Sequence, residues 1–264
     1  VAGSSGYWNY RHQADACHAY QIAKEHGVPE DQIIMMAYDD IAHNAQNPFK
    51  GKMFNKPNGP DVYGGCNIDY KGADVTPENF LAVLKGDDTT TLGGKVLKSN
   101  KDSKVFVNFV DHGGVGLIGF PSQYLYANKL HEAIMYMHEH NLYGKLSFYM
   151  EACESGSMFP NLPSDINFYA ATAANAHESS WGIYCYPNDM VNGQHLNSCL
   201  GDTFSVTWME DSDLNNKTES LDDQFQAILK RTNRSHPQKF GDLSFAKDPI
   251  FEFQGDVDVK SEWY

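Results

Sequence analysis

Val105-Phe106-Val107-Asn108-Phe109-Val110 running into Asp111-His112-Gly113-Gly114, and Leu146-Ser147-Phe148-Tyr149-Met150 running into Glu151-Ala152-Cys153-Glu154-Ser155-Gly156-Ser157, are the two stretches on which the reading turns. Each is a short, nearly unbroken apolar run ending in polar, Gly-rich chain, the pattern of a strand covered on both faces. Ile33 to Tyr38 and Ile166 to Ala170 have the same character. Between these runs lie helical stretches. Arg11 to His26 is rich in Ala, His and Gln; Phe80 to Leu84 is opened by Thr76 as cap and Pro77 behind it; Asn128 to His140 carries Leu130, Ile134 and Met137 on one helical face. Alternation of this kind predicts an α/β fold with a mostly parallel central sheet. Thr218 to Ser235 reads as a further surface helix, and Pro249 to Tyr264 as a mixed tail with no clear assignment.

Two polar, turn-rich segments interrupt the alternation, Asp39 to Asp74 and Trp181 to Ser198, and both are expected as long surface loops. In sheets of this kind ligands sit at the carboxyl ends of strands, where both loops begin. If the two quoted strands are parallel neighbours, His112 and Cys153 leave the same edge together. That is the arrangement of a thiol nucleophile with a nearby imidazole, and the glycines after His112 let backbone N–H groups approach a substrate carbonyl. Competing readings exist for each residue. A cysteine in an apolar stretch is commonly a small core residue, and a histidine commonly hydrogen-bonded filler. A zinc site drawn from His12, His18, His138 or His140 lacks any C-x-x-C or H-E-x-x-H spacing. Asp39-Asp40 and Asp211-Ser212-Asp213 lack the spacing of a calcium loop and read as capping or solvated carboxylates. No metal and no cofactor is expected.

Composition narrows the partners. The 264 residues, 41% hydrophobic, can bury a full core as one large domain or two small ones. Twenty Lys and Arg against 34 Asp and Glu give a charge of −14 with no basic stripe, which argues against nucleic acid and anionic membrane. No apolar run approaches the roughly 18 residues of a membrane helix. Eleven His in so acidic a chain point towards an acidic working compartment. Val1-Ala2-Gly3 reads as the end of a buried strand entering a Gly/Ser turn, as expected of a processed product. Five Cys is an odd number, and Asn216-Lys217-Thr218 and Asn233-Arg234-Ser235 are glycan acceptors in a secreted protein.

Gly6-Tyr7-Trp8-Asn9-Tyr10-Arg11-His12-Gln13-Ala14-Asp15-Ala16-Cys17-His18, Tyr38-Asp39-Asp40-Ile41-Ala42, Asn55-Lys56-Pro57-Asn58-Gly59 and Asp74-Val75-Thr76-Pro77-Glu78-Asn79-Phe80-Leu81 resemble the legumain, or asparaginyl endopeptidase, family. So do Asp111-His112-Gly113, Glu151-Ala152-Cys153-Glu154-Ser155-Gly156-Ser157, Glu178-Ser179-Ser180 and Trp208-Met209-Glu210-Asp211-Ser212-Asp213, in order from residue 2 to about residue 235. The resemblance implies a caspase-like three-layer α/β/α sandwich forming a single cysteine-peptidase catalytic domain over residues 1–264, with its first strand trimmed and no C-terminal prodomain. It implies cleavage after asparagine, and after some aspartates in acid, with peptide ligation by the same site as the alternative outcome.

By the family's pattern Cys153 is the nucleophile, His112 the base and Asn9 the residue that orients the imidazole. The N–H groups of Gly113 and Cys153 hold the oxyanion, and Arg11, His12, Glu151, Ser180 and Asp202 form the specificity pocket. Two plainer readings stand beside the last set: Arg11 could pair with Glu151 without any ligand, and Asp202 could simply cap the following helix. The position of Ser5 is Asn in many members. Plant-like members join Cys185 to Cys199, a ring of about 15 residues worth about 3 kcal/mol in the chain-entropy model; the alternative is that both stay reduced. Cys17 is expected in the core and Cys66 without an obvious partner. Implied partners are peptides and proteins with Asn before the scissile bond, the chain's own prodomain in a zymogen, and cystatin-type inhibitors. The implied location is a vacuole, a lysosome or a secreted, acidic setting.

Overall fold

In the computed structural model, which describes residues 1–214 and 218–255, the apolar runs pair edge to edge. In chain order the elements are α1 (Tyr10–Glu25), α2 (Pro77–Lys85), β1 (Lys104–Val110), a small antiparallel sheet of β2 (Gly113–Gly114), β3 (Leu117–Gly119) and β4 (Tyr124–Tyr126), α3 (Ala127–Glu139), β5 (Lys145–Glu151) and β6 (Phe168–Thr172). The short pieces β7 (Gly182–Ile183), β8 (Met190–Val191), β9 (Gln194–His195) and β10 (Gly201–Asp202) follow, then α4 (Thr203–Ser212), α5 (Leu221–Arg231), β11 (Gln238–Gly241) and α6 (Phe251–Gln254). The central sheet runs β1-β5-β6-β11, parallel except for β11 at its edge.

Side chains alternate across a strand, so β5 sends Phe148 and Met150 to one face and Tyr149 to the other. On the first face they pack with Val107 and Phe109 of β1 against Phe80 and Val83 of α2 and Leu130, Ile134 and Met137 of α3. On the second, Tyr149 and Tyr169 pack against Phe204, Trp208 and Met209 of α4 and Leu221, Phe225 and Ile228 of α5. The result is the expected α/β/α sandwich. Helix ends follow local chemistry: Thr76 Oγ1 accepts from the Asn79 amide ahead of Pro77, and Ser220 and Asp223 exchange a capping box at the start of α5.

Three expectations need correction, and one strand carries no expectation. Ile33 to Tyr38 is extended but bridged only at Met36, to Tyr70; on its other side the Ala2 amide donates to the Met36 carbonyl and Ala2 is bridged in turn to Val110 of β1, while the left-handed Asp39 (φ 64°) turns the chain away. β6 begins at Phe168 rather than Ile166, since Asn167 is left-handed (φ 53°). β11 has no clear signal in the sequence, because an edge strand of four half-buried residues has no apolar run. Cys66, expected alone, is joined to Cys17, while Cys185 and Cys199 are joined as the resemblance implied. The Cys17 bridge has a local cause: Gln21, one turn along the same face of α1, donates to the carbonyls of Val62 and Gly64 and holds the first loop across the helix.

Among the described residues no helix is long and apolar enough to cross a membrane. Asn233 is exposed, and the hydroxyl of Ser235 in its sequon donates to the Ala173 carbonyl. Asn216 and residues 256–264 of the tail lie outside the described residues.

Candidate active site

The parallel register pairs Val110 with Glu151, so His112 and Cys153 each stand two residues beyond a paired strand end, level with one another. The Asp111 amide extends the ladder to the Glu151 carbonyl at 3.0 Å, which fixes the two strand exits relative to each other. Gly113 packs directly on the backbone of Cys153: a Cβ there would stand 2.3 Å from the Cys153 carbonyl oxygen. Only glycine lets these two backbones meet.

Asn9 ends the short turn that precedes α1, and its side chain is oriented from both ends. Its Nδ2 donates to the Ser5 carbonyl at 2.8 Å, so its Oδ1 must be the atom 2.8 Å from His112 Nε2. The oxygen can only accept. His112 therefore carries its proton on Nε2 and keeps the lone pair on Nδ1. Burial and then the neighbouring His12 lower the pKa of His112, which favours the neutral ring. Cys153 is half-buried and is the one free thiol among the five cysteines; its Sγ lies 3.8 Å from the Ser180 carbonyl and 4.0 Å from the Ser180 hydroxyl.

The five residues expected to form a pocket converge beside this group. Arg11 Nε donates to Asp202 Oδ1 at 2.9 Å, so Arg11 pairs with Asp202 and not with Glu151. Asp202 makes no side-chain capping bond to α4, whose start it occupies, which removes the plainer reading. His12 presents Nε2 3.6 Å from Asp202 Oδ2, too far for a hydrogen bond, while its Nδ1 is 2.7 Å from the Ser4 hydroxyl. Glu151 accepts from the Ser205 amide and hydroxyl through one oxygen. Its other oxygen, Oε1, and Asp202 Oδ2 are both buried without a partner. Burial, and then the Asp202 charge, push the Glu151 carboxyl up to about 8. For Asp202 burial acts in the same direction, but Arg11 and then His12 overcome it and hold the carboxyl low.

Three residues without a role in the sequence reading belong to the site. Asp15 is fully buried behind the pocket, accepting from Asn55 Nδ2 at 2.7 Å and from the Asp202 amide at 3.1 Å. Burial and then Asp202 raise its pKa, so the proton of this pair stays on Asp15 and the charge on Asp202, facing Arg11. Its one signal in the sequence is its position four residues after Arg11 on one helix. Ser205 anchors Glu151 from the first turn of α4. Trp8 stacks its ring on the His112 imidazole, centroids 5.4 Å apart and planes 26° apart.

His12, Asp111 and His112 bring three ligand atoms within 4.8 Å of one another. The two histidines are already engaged with Ser4 and Asn9 and belong to the group around Cys153. His18, another candidate ligand, is taken by Asn55 and Asp213. A hollow of about 1160 Å³ lined by Ile34, Met36, Phe80, Val105 and Val107 holds none of the site residues.

The model of the peptidase C13 family matches residues 1–256. Over 259 residues the chain is 51% identical to legumain of Rattus norvegicus and 49% identical to legumain of Homo sapiens, spanning 97% of this chain and 58% of each relative. It is 46% identical over 264 residues to the vacuolar-processing enzyme of Vicia sativa, spanning 97% of this chain and 54% of that protein. The chain thus spans a little over half the length of the curated relatives it matches. Caspase-1 from Spodoptera frugiperda superposes with a TM-score of 0.49 at 9% identity, over 87% of this chain and 77% of that one, too distant a likeness to bear on chemistry. With the family match running from Val1 through every residue of the site, this chain belongs to the peptidase C13 family.

Proposed function

We propose that the chain is a cysteine endopeptidase that cleaves peptide bonds after asparagine. The observation that carries this reading is the pair of buried, unpartnered carboxyl oxygens, Asp202 Oδ2 and Glu151 Oε1, beside Arg11 and next to the free thiol. Leaving such atoms unmade is costly, so the pocket favours a group that both donates and accepts. A carboxamide does so: its NH₂ donates to Asp202, and its oxygen accepts from Arg11 and from the protonated Glu151. A lysine brings no acceptor for Arg11, and an ionised aspartate meets the Asp202 charge.

The chemistry follows from the proton positions. His112 takes the Cys153 proton on Nδ1, and the thiolate attacks the carbonyl of the residue in the pocket. The N–H groups of Gly113 and Cys153 receive the oxyanion. The imidazolium, steadied by Asn9, gives its Nδ1 proton to the departing amine, which leaves a thioester on Cys153. Water then releases the acid. A peptide amine reaching the thioester first gives ligation, and Trp181, stacked under Arg234 at 3.7 Å beside Ser180, holds the start of the loop that governs this access.

The name of the vacuolar-processing enzyme supports a vacuolar setting, and the resemblance adds an acidic lysosome or secretion as alternatives, with peptides and proteins as substrates. The resemblance adds a covering prodomain and cystatin-type inhibitors as protein partners. A thiol-reactive probe carrying Asn at the pocket position should label the chain, and labelling should vanish in Cys153→Ala. No labelling of the native chain contradicts the reading. Mass analysis of products with an added amine peptide separates hydrolysis from ligation.

A further inference from the structure

Trp8 is 67% exposed, a large apolar surface at the centre of the site. One face of the indole lies on the His112 ring. Its backbone is held at a junction: the Trp8 carbonyl accepts from Arg11 Nη1 at 3.3 Å and from the Ser198 hydroxyl at 3.4 Å. The next residue, Asn9, is the one bonded to His112 Nε2. The indole is therefore fixed against the imidazole, the pocket arginine and the second loop at once.

The side of the scissile bond that Trp8 faces follows from the proton transfer. His112 must come within hydrogen-bond reach of the departing nitrogen, whose own side chain begins two bonds further on. The residue before the bond is directed into the Arg11 and Asp202 pocket, so the space beside the imidazole falls to the residue after it. We propose that Trp8 is a specificity-determining residue, the wall that receives the side chain following the scissile bond, and that it selects large apolar and aromatic side chains there. The proposal rests on the asparagine-directed cleavage proposed above and names its second determinant. An incoming amine in ligation occupies the same space and meets the same selection.

The alternative role, shielding of His112 from water, changes the rate for every substrate alike. A wall changes the ratio between substrates. Peptides identical except for Gly, Ala, Leu or Phe after a fixed Asn separate the two when kcat/KM is measured for the native chain, Trp8→Ala and Trp8→Phe. We expect the native preference for Phe over Gly to be about tenfold, the upper end of an aromatic contact, to collapse towards unity in Trp8→Ala and to persist in Trp8→Phe. A ratio that survives Trp8→Ala unchanged, even with all rates lowered, overturns the proposal. Failure of the native chain to cut after Asn at all would instead remove the reading beneath it. Trp8 lies on the surface, and melting temperatures of Trp8→Ala and Trp8→Phe within about 2 °C of the native chain show that both variants keep their fold.

Discussion

Cys153 makes no hydrogen bond shorter than 3.8 Å, and its loss removes the nucleophile without unpairing any core group. Cys153→Ala should therefore abolish turnover while the melting temperature stays within about 2 °C, since the change is small and half-exposed; residual activity above a few per cent contradicts the assignment. Asn9→Ala should be milder, lowering kcat/KM roughly tenfold, because it loosens the imidazole but leaves base and nucleophile in place. Glu151 gives a sharper expectation. With its carboxyl pushed up to about 8, it is neutral in acid and at pH 7, so Glu151→Gln should keep cleavage after Asn within about threefold at pH 6. Loss of cleavage in Glu151→Gln at that pH would show that the charged form is required. His112 and Cys153 were legible because chemistry stood at the ends of two recognisable strands. The pocket residues were legible through the family's motifs alone. Asp15 and Trp8 are not legible because their roles come from distant contacts: one matters through Asp202, 187 positions away in sequence, the other through a stack on His112.

Helices α2 and α3 lie within a few residues of where cap and apolar spacing put them, since those signals are local, and α1 and α5 lie within the stretches 11–26 and 218–235 read as helical, give or take a residue. The short strands β7 to β10 and the edge strand β11 exist only through their partners, and no local pattern announces them. The same holds for the Cys17–Cys66 bridge, which spans 49 positions and depends on the first loop folding back over α1. Its removal should matter more than that of Cys185–Cys199, which spans 14. In the chain-entropy model the longer loop is worth about 4 kcal/mol and the shorter about 3 kcal/mol. The paired change Cys17→Ala with Cys66→Ala should therefore lower the denaturant midpoint further than Cys185→Ser with Cys199→Ser. The reverse order in urea unfolding of the two variants would show that loop length does not govern these bridges.

Across the molecule, an excess of buried carboxyls sets the response to pH. Burial raises Asp15, and it lifts Glu151 and Glu219 to about 8, the latter also through its contact with Asp211. A carboxyl raised on folding stabilises below its unfolded pKa and loses that contribution as pH climbs through the folded one, here from about 4.5 to about 8. Asp202, Asp213 and Asp222 are lowered and act the other way, costing stability only as pH falls below the usual carboxylate range. His26 and His112, lowered chiefly by burial, oppose the first group between neutrality and mild acid. Three strongly raised carboxyls outweigh two lowered imidazoles, so the melting temperature, followed with Cys153 blocked, should be highest near pH 5 and fall towards pH 8. A midpoint that rises over that interval would mean that repulsion is relieved by contacts other than these. Pocket and thiol meet in one measurement: digestion of a complex peptide library by the native chain at pH 6.5 and pH 4, with every new carboxyl terminus identified by mass spectrometry. The account predicts termini that are overwhelmingly Asn at pH 6.5, joined by Asp at pH 4 as protons relieve the repulsion at Asp202, and none with Cys153→Ala. Termini dominated by Lys or Arg, or Asp and Asn in equal measure at pH 6.5, would contradict it.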